Sequence, residues 1–305
     1  MHRIVRAALI AVFVFAGSAD ARTARGAPVR PPEPALWAIR DADSTMYFYG
    51  TIHLRKAGAP WGGPAAERAL AEAQEVWTEV EIDPVRDAEL QGVVGRMGYD
   101  TTRTLSSLMT PARAAQLKTA ATSIGVPVTA LDAMKPWLAS LTISVVPMVK
   151  AGYDPAAGVD HGIDRVARAA GKHMRWFETG EQQIQFMAGF ADPLQLEMLY
   201  DSMDDIGKGT ALMQRMEAAW EIGDDRTLGQ DMVADMRREY PELYEVMLKK
   251  RNAAWADVLT HEMAGSGVDF IAVGAAHLVG PDSVLALMRA RGFTVARVTR
   301  PPMRR

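Results

Sequence analysis

Two apolar runs, Met46–Tyr49 and Asp269–Val273, end in the same short pattern of glycine, two residues and histidine. The first reads Gly50-Thr51-Ile52-His53, and the second, 224 residues later, reads Gly274-Ala275-Ala276-His277. Runs of this composition predict buried strands. In α/β folds, ligands bind beyond the carboxyl ends of the strands, so the pattern directs both imidazoles toward one crevice. Glycine at this spacing tolerates backbone angles closed to other residues and lets the chain pass close to a ligand. Either copy alone reads better as a strand-end histidine with a local hydrogen bond; it is the recurrence after two apolar strands that brings the two readings level. His161, His173 and His261 lack the glycine context and read as structural or exposed.

Between these strands the pattern alternates. Leu36–Arg40 and Met46–Tyr49 flank the polar stretch 41–45 and predict a β-hairpin. Pro64 opens a helical stretch to about Ala73, Glu75–Ile82 reads as a buried strand, and Pro84 to about Lys150 is mainly helical. Gly158–Ala170 predicts a helix ending at Gly171, followed by a strand at Met174–Glu178. Apolar residues then recur at helical spacing through residues 181–263, before a strand at Asp269–Val273, a helix at Asp282–Arg291 and a last strand at Phe293–Val298. The expected fold is α/β: a single mixed-sheet domain with a helical insertion or cap between about residues 181 and 263.

Composition narrows the chemistry. The chain has no cysteine, which removes thiolate mechanisms and cysteine-based zinc sites. A net charge of −3 gives no electrostatic case for nucleic-acid binding, and the 18 methionines read as core filler. Arg3 and Arg6, the apolar run 7–16 and Ala19-Asp20-Ala21 have the three parts of a secretory signal peptide, with residues 1–21 removed. The expected location is therefore periplasmic or secreted, an uncleaved anchor being the alternative. The apolar run is too short for a membrane span, and no later segment is long and apolar enough. Residues 22–35, with four prolines, read as an extended linker to a domain at 36–305, and the basic ending 300–305 as a solvated tail.

Val76-Trp77-Thr78-Glu79-Val80-Glu81-Ile82-Asp83 places Glu79, Glu81 and Asp83 on one strand face. That face is either solvated or, with Glu81 nearest the strand's carboxyl end, turned into the histidine crevice. Two imidazoles and a carboxylate, His53, His277 and Glu81, form a usual ligand set for a catalytic divalent cation. Glu178 ends a strand as Glu81 does and reads as a crevice residue or a cap of the next helix. Arg251, mid-helix, reads as a carboxylate or oxyanion clamp or as a surface ion pair. Asp160 and Asp164 share a helix face near its start, where acids suit the helix dipole.

Gly50-Thr51-Ile52-His53, Glu81-Ile82-Asp83, Lys135-Pro136-Trp137, Gly158-Val159-Asp160, Phe177-Glu178-Thr179, Arg251-Asn252 and the run from Ala272 to Gly280 occur in this order. As a set, spread from about Leu36 to Val298, they resemble the TraB/GumN family, which is related to the Tiki proteases. The resemblance implies one α/β domain, distantly similar to erythromycin esterase and ChaN-type haem-binding folds. By position it implies His53, His277 and Glu81 as the centre of a metal-dependent protease; on our own reading of the residues, Arg251 or Glu178 would help place a peptide or small-molecule substrate. The expected function is an exported metal-dependent hydrolase of a peptide or similar amide, the metal's identity open. The alternative is a non-catalytic exported protein binding a haem-like ligand through His53 or Tyr47. A metal-free esterase using histidine and glutamate is a third.

Overall fold

The computed structural model describes residues 31–298. The export leader expected at 1–21, most of the proline-rich segment and the basic ending lie outside the described residues. Among the described residues there are eight strands: β1 (Leu36–Arg40), β2 (Ser44–Thr51), β3 (Arg55–Lys56), β4 (Glu75–Thr78), β5 (Tyr153–Asp154), β6 (His173–Trp176), β7 (Gly267–Gly274) and β8 (Val295–Arg297). Six form one mixed sheet in the order β6-β4-β7-β2-β1-β8, and β3 pairs with β5. The β1–β2 hairpin is antiparallel, its turn fixed by Asp41, whose carboxylate accepts from the Ser44 N–H at 2.8 Å. The β6, β4, β7 and β2 strands run parallel, so their carboxyl ends share one edge.

Register decides what meets at that edge. Gly50 pairs with Val273 and Thr51 with Gly274, so the two glycine–histidine loops leave the sheet side by side. Thr78 of β4 lies opposite Ala272 and Trp176, which brings the chain after β4 and after β6 to the same rim. Both middle strands are shorter than expected. β4 ends at Thr78, whose hydroxyl donates to the Val80 carbonyl at 2.8 Å. A short polar side chain that binds the backbone two residues on takes it out of the ladder.

The sheet is buried on both faces, and side chains alternate between them. Phe48, Met46, Trp77 and Ile271 pack on Trp255, Leu259, Leu285 and Met288, from helices Lys250–Glu262 and Val284–Ala290. Tyr47, Tyr49, Val76 and Phe270 face the remaining helices. As expected, residues 181–263 are helical, but two segments, Gly229–Ala234 and Glu245–Lys249, are π-helical. Helix Lys208–Glu221 anchors this section to the sheet: the Trp220 indole N–H donates to the Gly50 carbonyl at 2.6 Å. Arg55, 1% exposed, reaches Glu217 at 3.0 Å and Glu221 at 2.5 Å. No helix among the described residues is long and apolar enough to cross a membrane.

Candidate functional site

His53 and His277 both end at Gly274. A Cβ added there would lie 3.4 Å from His53 Nε2, 3.6 Å from His277 Cδ2 and 3.0 Å from Glu79 Oε1. The two imidazoles expected in one crevice are therefore brought together. The carboxylate beside them is Glu79. Because β4 stops at Thr78, Glu79 is the residue that turns into the crevice, 3% exposed. Glu81 sits further out on the wall of the adjoining cleft, where Arg86 Nε donates to it at 3.2 Å. Strand alternation placed both glutamates on one face. Missing from the sequence was the strand's end, four residues earlier than its apolar pattern suggests.

A buried polar network surrounds Glu79. One oxygen accepts from the Gly274 N–H at 2.7 Å; the other accepts from Arg251 Nη2 at 2.7 Å and Gln183 Nε2 at 3.0 Å. Arg251, 4% exposed, also forks onto Glu178, with Nε at 2.8 Å and Nη2 at 2.9 Å. It is thus a carboxylate clamp and not a surface ion pair. Glu178 is its partner and not a helix cap; Thr179 fills that role for helix Gly180–Ala188. Burial raises Glu79's pKa, but Arg251, His277, His53 and the Gly274 N–H together bring it down to about 2. The same carboxylates keep Arg251 charged, lifting its pKa against the effect of burial.

The histidines are set differently. Asn252 Nδ2 donates to the Asp282 carbonyl at 2.8 Å, which turns Asn252 Oδ1 toward His277 Nδ1, 2.5 Å away. His277 therefore carries its proton on Nδ1, and its Nε2 lone pair accepts from Arg251 Nη1 at 3.1 Å. Burial and the neighbouring Arg251 push its pKa down to about 3, so the ring is neutral. Trp255 covers it, ring centroids 4.3 Å apart. His53 instead has an acid behind it: Asp160 Oδ2 lies 3.4 Å from Nδ1. Burial opposes protonation of His53, but Asp160 and Glu79 outweigh it and raise the pKa, while His53 holds Asp160 low against its own burial. Asp164 pairs with Arg168 at 2.9 Å and takes no part.

Two spaces meet here. A cavity of about 20 Å³, the size that holds one water, lies between His53, Glu79, Gly274, His277 and Met213. A cleft of about 400 Å³ opens outward past His53, Asp160, Glu178, Glu81 and Trp176. Among the described residues, His53 alone lines both.

This donor set does not fit the expected divalent cation. Both ring nitrogens of His277 are engaged, one by Asn252 and one by Arg251, and Glu79 is bound by a guanidinium and a backbone N–H. Glu81 is held apart by Arg86. Among the described residues, three metal-ligating side chains converge only at Glu75, Glu262 and Asp269, by the opposite ends of β4 and β7. Tyr47, considered for a haem-like ligand, donates its hydroxyl to Glu72 at 2.7 Å and faces Arg40. His173 pairs with Glu75 at the sheet's far end.

The ordered motifs and the shared crevice have a counterpart in known proteins. The model of the TraB/PrgY/gumN family matches residues 35–297. The chain belongs to this family. The match covers both glycine–histidine loops, Glu79, Arg251 and nearly all the described fold. The uncharacterized protein YbaP of Escherichia coli (strain K12) is 26% identical over 157 residues, covering 50% of this chain and 56% of its own length. YbaP of Shigella flexneri matches to the same extent. The chain thus spans little more than half the length of these curated relatives. No solved structure matches it.

Proposed function

We propose that this TraB/PrgY/gumN protein is an exported hydrolase of a peptide or similar acyl bond, with His53 as its proton-moving group. The observation that carries this is the position of His53, at the junction of the open cleft and the buried cavity with Asp160 behind Nδ1. A carboxylate there holds the proton on Nδ1 and leaves the Nε2 lone pair facing the cavity beside Gly274. A water there can give its proton to Nε2 as it attacks the acyl carbon. The resulting imidazolium is stabilised by Asp160 and Glu79, and it can return the proton to the leaving group. Glu79, Arg251, Glu178 and Asn252 hold the floor rigid, so little reorganisation accompanies the charge change. The signal-peptide pattern read in residues 1–21 supports export to the periplasm or beyond.

The test uses purified protein and a panel of peptide and ester substrates, with and without chelator. His53→Ala should lower turnover by about 10²- to 10⁴-fold, the usual contribution of a positioned acid–base group. Asp160→Asn should lower it less and move the acid limb of the pH–rate profile downward, because His53 loses the partner that raises its pKa. Activity should survive the chelator. Wild-type turnover in His53→Ala would end this assignment, and activity abolished by chelation and restored by a divalent cation would return the site to metal chemistry.

A further inference from the structure

The cleft wall carries more carboxylates than cations: Glu81, Glu89, Asp160, Glu178 and Glu181 line it with one guanidinium, Arg86, and two histidines, His53 and His161. Arg86 serves two carboxylates, Glu81 at 3.2 Å and Glu89 at 2.8 Å. Behind the wall, Arg251 serves Glu178 of the cleft and Glu79 of the enclosed cavity. Each guanidinium is outnumbered two to one, so each trio keeps one net negative charge. Glu181, in the first turn of helix Gly180–Ala188, lines the same cleft with no cation at ion-pair distance among the described residues. Asp160, 97% buried under the floor by its 3% exposure, has no donor in hydrogen-bond geometry at Oδ1. The cation nearest to it is His53, and only when that ring is protonated.

Apolar surface fills the rest of the wall. Val80, Ile82, Leu90 and Val93 line it, and the Trp176 indole stands at the rim, 41% exposed. An apolar stem ending in a cation matches such a wall: the stem lies on the aliphatic side chains and the charge meets the carboxylates and the face of the indole.

We infer that the cleft selects a peptide segment bearing a lysine or arginine side chain next to the bond held at His53, with Glu181 and the Glu81–Glu89 pair as the residues that recognise the charge. This rests on the hydrolase reading for the identity of the bond, but the charge preference is a property of binding and is tested without turnover. Like charges brought into a partly desolvated cleft repel, so an anionic counterpart is excluded as strongly as a cation is drawn in.

The probes are two capped pentapeptides identical but for a central lysine or glutamate, titrated calorimetrically into the full protein at low salt and again at 0.5 M salt. The lysine peptide should bind at least 10-fold tighter at low salt, and high salt should narrow the gap. Glu181→Lys should erase or reverse the preference. The double variant Glu81→Gln/Glu89→Gln, which turns the trio's net charge from −1 to +1, should shrink it several-fold with circular dichroism unchanged. Equal affinities, preference for the glutamate peptide, or no binding of either at millimolar concentration would overturn the inference. Selective binding without any cleavage would uphold it and count against the hydrolase reading alone.

Discussion

Arg251 is the residue on which the polar centre depends. Its guanidinium meets Glu79, Glu178, the Met247 carbonyl and the His277 lone pair, all buried. Buried charges of this kind persist only when paired, and removing one partner strands the others. Arg251→Met leaves Glu79 and Glu178 facing each other without a cation and should destabilise the protein by about 3–5 kcal/mol. Adding Glu79→Gln and Glu178→Gln should recover most of that loss, because no buried charge is then unpaired. Urea unfolding of the single and triple variants checks this; a single variant within about 0.5 kcal/mol of wild type would show that the clamp is not the anchor described. Sequence alone could place Arg251 on a helix but not choose between clamp and surface ion pair. That choice depends on burial, which comes from the facing ends of β4 and β6.

The glycines of the two loops have separate roles, and neither is the backbone freedom expected from sequence. Gly274 has φ −48°, and neither it nor Gly50 is among the glycines of positive φ. At Gly50 a Cβ would lie 3.0 Å from Ala275 Cα and 3.1 Å from Ala275 Cβ, so glycine lets the two loops touch. At Gly274 the Cβ would enter the space shared by Glu79, His53 and His277. Gly50→Ala must push two backbones apart and should destabilise by about 1–3 kcal/mol. Gly274→Ala presses on a side chain and not on backbone, so it should cost less stability than Gly50→Ala yet shift the NMR titration of the His53 ring. Thermal unfolding and histidine NMR of both variants separate the roles; the same stability loss in both would refute the distinction. The pairing of the loops was legible because glycine and histidine recur at one spacing after apolar strands, and the helical section showed in its periodicity. The acid was not legible. Glu79 and Glu81 share strand parity, and the end of β4 at Thr78, where the hydroxyl binds the Val80 carbonyl, is invisible in a pattern of polarity.

Across the whole molecule, His277 and Glu79 at one end of the sheet respond to acid oppositely to Asp269 at the other. At the carboxyl end, burial and Arg251 depress His277's pKa to about 3, and Glu79 is held at about 2. An unfolded histidine takes up its proton near pH 6.5 and a glutamate near 4.3. Below those values the unfolded state binds more protons, so stability falls as pH drops from about 6.5 toward 3. At the amino end, burial, then Glu262 and Glu75, raise Asp269 to about 6. There the folded state binds the extra proton between about pH 4 and 6, so this acid gains stability as pH falls through the same range. His53, its pKa raised, also contributes stability that is present below pH 6.5 and lost as pH rises through its folded value. Measured stability is the sum, and single variants isolate its parts. His277→Gln should flatten the acid loss between pH 6 and 4.5 by up to one proton, about 1.4 kcal/mol per pH unit. Asp269→Asn should steepen the loss over the same range. Urea midpoints at pH 4.5, 5.5 and 6.5, converted with each variant's own m-value, give the three slopes. Parallel slopes for wild type and both variants would mean that neither end titrates as its surroundings dictate. Opposite tilts would tie the neutral state of His277 to the Arg251 clamp, and the protonated state of Asp269 to its acidic neighbours.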